Sequence, residues 1–96
     1  MSQIRSKAEA IVQVDNERVI VTEWKFLPGA ETGWHRHGCD YIVVPGMKGK
    51  LLFETEGGDY LTELEAGQAY FRCSGVEHNV VNANDYAFSF VEVELK

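Results

Sequence analysis

The chain lacks most of the features that would staple it, anchor it or charge it for nucleic acid. Two cysteines, Cys39 and Cys73, occur in 96 residues. They cannot build a disulfide framework and lack CxxC spacing, so two free thiols in a reducing compartment are expected. No stretch approaches the roughly 20 apolar residues that span a bilayer, and the first residues, Met1 to Lys7, have no apolar leader-like run. A cytoplasmic chain with no membrane partner is the expectation. Basic excess is also missing: nine Lys and Arg stand against fifteen Asp and Glu, a net charge of −6, which repels phosphate backbones and argues against a nucleic-acid partner. Sustained 3.6-residue periodicity, internal repeats, linkers and low-complexity segments are absent as well.

What remains is the composition of an ordinary folded domain, 45% apolar and 25% charged, long enough for one hydrophobic core and therefore for one domain over residues 1–96. Short β-rich stretches recur between turn residues. Strands are expected near Ala10–Val14, Arg18–Phe26, Trp34–His37, Asp40–Val44, Lys50–Glu54, Tyr60–Leu64, Gln68–Cys73, His78–Asn82 and Tyr86–Glu94. The breaks carry turn chemistry in Asp15-Asn16, Pro28-Gly29, Pro45-Gly46, Gly57-Gly58, Ala66-Gly67, Ser74-Gly75 and Asn82 to Asp85. This is an all-β pattern, a sandwich or a barrel whose closure removes exposed edges. A barrel this small buries a modest fraction of its surface, so a homodimer that covers outer strands is expected.

All three histidines lie on or beside expected strands. His35 and His37 are spaced i, i+2, and side chains alternate across a strand, so both face one side while Trp34 and Arg36 face the other. Two imidazoles on one face can share a metal, although such a pair also occurs as surface or core residues. Cys39 and Tyr41 continue the same parity if no bulge intervenes; Asp40 faces away unless a bulge rotates it inward. His78 follows the Ser74-Gly75 turn and is the candidate third ligand. Phe26, Phe53, Tyr70, Phe71, Phe88 and Phe90 are expected in wall and core, with the register of Tyr86 to Phe90 open.

These residues resemble the cupin superfamily. Its first motif runs G, five residues, HxH, three or four residues, E, six residues, G, and Gly29 followed by five residues and His35-Arg36-His37 fits it. The second runs G, five residues, PxG, two residues, H, three residues, N. Here Gly67, Cys73-Ser74-Gly75, His78 and Asn82 fit, with Cys73 replacing the proline. The motifs occupy about 29–49 and 67–82. The glutamate that many cupins use as a further ligand falls at Tyr41 or Ile42, neither acidic. The resemblance therefore implies a jelly-roll barrel, a double-stranded β-helix, with the three-histidine ligand set His35, His37 and His78. From Asn16 to His37 the chain is also similar to small bacterial cupins associated with β-alanine degradation.

Three neutral imidazoles hold a divalent ion without cancelling its charge and leave positions open for a small, anionic, chelating ligand. Iron, zinc, manganese and nickel all suit such a site. Fe(II) would support dioxygenase chemistry, and the others Lewis-acid lyase or isomerase chemistry on a small organic acid. A noncatalytic ligand-binding cupin and a barrel braced by a structural metal are the competing readings. Tyr41, whose phenol can bond a ligand or relay a proton, is the candidate catalytic residue.

Overall fold

The computed structural model describes residues 4–96, so residues 1–3 lie outside it. Among the described residues all regular structure is strand: β1 (Glu9–Asp15), β2 (Val19–Phe26), β3 (His35–Arg36), β4 (Asp40–Pro45), β5 (Gly49–Thr55), β6 (Gly58–Leu64), β7 (Tyr70–Arg72), β8 (Glu77–Asn82) and β9 (Phe88–Leu95). Among the described residues no helix is long and apolar enough to cross a membrane. The strands form a five-stranded sheet, β1-β2-β9-β4-β7, and a four-stranded sheet, β3-β8-β5-β6, with every strand pair antiparallel. From β2 onward the chain crosses repeatedly from one sheet to the other, which is the winding of a double-stranded β-helix.

Period-two burial explains the strands. Tyr41, Val43 and Pro45 of β4, Gly49, Leu51 and Phe53 of β5, and Phe88, Phe90 and Glu92 of β9 are buried, while the residues between them are more exposed. One face of each strand therefore enters a shared core of Phe26, Tyr41, Val43, Leu51, Phe53, Phe88 and Phe90. Register then lines up inward rows across the larger sheet. Ile20, Glu94, Tyr41 and Arg72 make one row, and Thr22, Glu92, Val43 and Tyr70 the next. At Gly49 the core packs tightly, since a Cβ there would stand 2.7 Å from the Phe88 ring.

Strand β8 is buried along almost its whole length, and both of its edges are paired. On one side it meets β5. On the other, the segment leading into β3 runs antiparallel to it: Asn82 N donates to Ala30 O and Thr32 N to Val80 O, each at 2.9 Å, and His37 N donates to Val76 O at 2.8 Å. Asn82, 2% exposed, closes this ribbon by donating from Nδ2 to the Phe26, Leu27 and Tyr86 carbonyls.

Two strands are shorter than the sequence suggests, and the expected place of Phe71 needs correction. Residues 34–37 contain only a two-residue strand, β3, because Trp34 and His37 fall outside its ladder. Phe71 is 49% exposed and belongs to neither wall nor core. It alternates with Tyr70 and Arg72 on a short edge strand and takes the outer face. Tyr86 lies before β9, 45% exposed, and its hydroxyl donates to Lys48 O; Phe88 and Phe90 are the inward members of that stretch.

Candidate metal centre

The β3–β8 register builds the site. His35 pairs directly with His78 and Arg36 with Glu77, and directly opposed residues of an antiparallel pair project from the same face. His37, two residues beyond His35, joins them on that face. The three Nε2 atoms meet: His35 to His37 is 3.0 Å and His37 to His78 is 3.2 Å, and ligand atoms of all three lie within 4.8 Å of one another.

Hydrogen bonding selects the tautomer of His35. Its Nδ1 lies 2.8 Å from the Gly33 carbonyl, which can only accept, so Nδ1 carries the proton and Nε2 presents a lone pair. Gly33 adopts φ +91°, a left-handed conformation suited to glycine. Asn79 holds this turn. Its Oδ1 accepts from Gly33 N at 2.9 Å and from Thr32 Oγ1 at 3.4 Å, while its Nδ2 donates to Glu31 and Glu54 at 2.8 Å each. Arg5 pairs with the same two carboxylates. Sequence reasoning passed over Asn79, although its place beside His78 was the available signal.

His37 and His78 are 8% and 5% exposed. Burial first, and the neighbouring imidazoles second, bring both down to about 4, so both rings are neutral at pH 7. With their Nε2 atoms meeting at 3.0–3.2 Å, the three rings can direct their lone pairs at one cation. The spacing also fits: two nitrogens about 2.1 Å from one ion and at right angles are about 3.0 Å apart. Iron, zinc, manganese and nickel all accept such donors.

The cluster opens on a cavity of about 260 Å³ whose wall includes Tyr41, Phe53 and Glu92. Tyr41 stacks on His37, ring centres 3.8 Å apart and 18° between planes. Burial pushes its phenol well above the ordinary value, so it stays protonated at neutral pH. Cys39 is half-buried and absent from the cavity wall, which corrects the parity expectation, because the chain bends at Gly38 and Cys39 between β3 and β4. Asp40 turns away and accepts from Ser74 N at 2.7 Å. Cys73 is exposed. Glu77 bonds Trp34 Nε1 at 2.8 Å outside the site. Glu92 and Glu94, which sequence reasoning did not single out, both line the cavity.

Replacing any of His35, His37 or His78 with alanine is expected to remove most of the metal, measured by elemental analysis after equilibration with a divalent ion. Asp40→Ala and Cys39→Ser should retain it. Asn79→Ala should weaken metal affinity by about 10–100-fold, the usual effect of losing a residue that orients a ligand. Full retention in His78→Ala would contradict this assignment.

Comparison with known proteins agrees with the fold. The family model described as Cupin domain matches residues 22–94. The chain is 62% identical over 92 residues to the beta-alanine degradation protein BauB of Pseudomonas aeruginosa, covering 96% of this chain and 97% of that protein. A cupin domain protein from Bordetella pertussis Tohama I superposes with a TM-score of 0.97 at 55% identity, covering 99% of each chain. The polyketide cyclase RemF of Streptomyces resistomycificus shares the fold alone, with a TM-score of 0.72 at 19% identity, covering 95% of this chain and 68% of that one. With its two facing sheets, its histidines at the motif positions and this match over most of its length, the chain belongs to the cupin family.

Proposed function

We propose that this cupin holds one divalent transition metal on the Nε2 atoms of His35, His37 and His78 and uses it to bind, and act on, a small organic acid of β-alanine breakdown. The observation that carries the reading is the convergence of three imidazoles on a cavity. A structural metal needs a closed ligand shell, whereas no acidic side chain joins this cluster among the described residues and a space of about 260 Å³ adjoins it. That space lies below the usual range for drug-sized ligands, about 300–1,000 Å³, which suits a small metabolite. The 62% identity to a protein named for β-alanine degradation supports the metabolic setting.

The bound ion would supply Lewis acidity, or a site for dioxygen if it is iron. The protein's own residues do the rest. Gly33 O and Asn79 fix the His35 ring, while Tyr41 and Phe53, packed on His37 and His78, keep the site dry. Tyr41 is the proposed catalytic residue, a protonated phenol able to donate to a ligand oxygen.

Metal-loaded protein is expected to be stabilised by propionate and by β-alanine, by about 2.7 kcal/mol at a hundredfold excess over Kd, as read by thermal or urea unfolding. The metal-free protein and His78→Ala should show no such gain. Equal stabilisation without metal would overturn the reading.

We also propose a homodimer through β1. This edge strand is exposed on both faces, with Val12 at 59% and Val14 at 42%, and such an edge is a template for pairing. Light scattering at micromolar concentration should give twice the 10.8 kDa chain mass; the single-chain mass would refute it.

A further inference from the structure

The cavity that holds the histidine cluster has a second, chemically opposite part. Glu92 and Glu94 project from the inward face of β9, two residues apart in adjoining cross-strand rows, and both line the cavity. Glu92 is 7% exposed. Among the described residues no basic side chain forms an ion pair with either. The nearby Arg72 lies over the Tyr70 ring at 4.8 Å and donates to Phe71 O, and Arg36 is exposed.

A buried carboxyl group with no counter-charge is costly, and a second one beside it raises the cost. Burial and Glu94 hold the Glu92 carboxyl well above the ordinary range, so the empty pair keeps a proton that a cation would displace. A separate observation lies on the adjoining strand. The Trp24 Nε1 donor is buried, stands on the same cavity wall and, directed at Glu92, favours the ionised form of that carboxyl. Trp24, Tyr41, Tyr70 and Phe90 complete that wall. Aromatic faces around an unpaired carboxylate are complementary to an ammonium group.

We propose that Glu92 and Glu94 form the subsite for the ammonium group of a small amino acid whose carboxylate is held at the histidine end. The carboxylate half rests on the metal reading above; the ammonium half does not. The cavity is then divided by charge, with an electrophilic end for the acid and an acidic, aromatic end for the amine. A zwitterion satisfies both ends, and a simple carboxylic acid satisfies one.

Calorimetric titration of the metal-loaded protein with β-alanine, propionate and propylammonium separates the two halves. Glu92→Gln preserves shape and removes the charge. It is expected to weaken β-alanine and propylammonium by about 10–100-fold, the scale of a charge-assisted hydrogen bond, and to leave propionate within about threefold. Glu94→Gln should act in the same direction and serves as the test variant if Glu92→Gln does not fold, as judged by circular dichroism. Loss of β-alanine binding on metal removal, with propylammonium unaffected, supports both halves. If metal removal changes nothing while Glu92→Gln still weakens both amines, the metal reading falls and the ammonium subsite stands. The subsite is overturned if the substitution weakens all three probes alike, if it leaves the amines unchanged, if the wild-type protein binds no amine, or if it instead removes a second equivalent of metal.

Discussion

The structure depends on one backbone ribbon, the antiparallel pairing of residues 29–37 with residues 75–82. Its hydrogen bonds run from Asn82 N to Ala30 O at one end to Gly75 N and His37 O at the other, and between them His35 stands opposite His78. Each histidine-bearing segment alone supplies ligands at the wrong number or spacing for a site. Joined in this register, they place three imidazoles on one face. A slip of one residue would turn every side chain of the moved segment to the other face, so the site and the sheet are specified together. Asn82 clamps the far end of the ribbon through three backbone carbonyls, which gives the last residue of the second motif a physical task.

The cavity beside this ribbon combines two arrangements that an inert core would avoid. Burial keeps two of the three imidazoles neutral, which readies their lone pairs for a cation. On another part of the wall burial, with Glu94 alongside, leaves Glu92 holding a proton. Both arrangements cost stability in the empty protein and are relieved by charge from outside. A metal and a zwitterionic ligand would supply that charge at different points of one cavity.

Much of this was legible in the sequence, for identifiable reasons. Period-two patterning between turn residues located all nine strands to within a few residues, and the i, i+2 spacing of His35 and His37 placed both on one side. Parity correctly turned Asp40 outward. Parity failed where the ladder is interrupted: β3 ends at Arg36, so Cys39 does not follow His37 inward, although Tyr41 does. Phe71 misled because a large aromatic on a three-residue edge strand can face solvent at little cost. Glu92 and Glu94 stayed hidden because β9 carries two conflicting patterns. Val91 and Val93 suggest one inward face and Phe88 and Phe90 the other. The phenylalanines prevail, packing against Phe26 and the core, and carry the two acids inward with them.

The central claim is that three imidazoles of this chain hold one ion at the wall of an open cavity. X-ray absorption spectroscopy of the metal-loaded protein tests it most directly. The account predicts three nitrogen scatterers at roughly 2.0–2.2 Å with the outer-sphere pattern of imidazole, accompanied by light oxygen atoms of water or ligand. Fewer than three imidazoles, or a sulfur scatterer at about 2.3 Å from a cysteine, would contradict it.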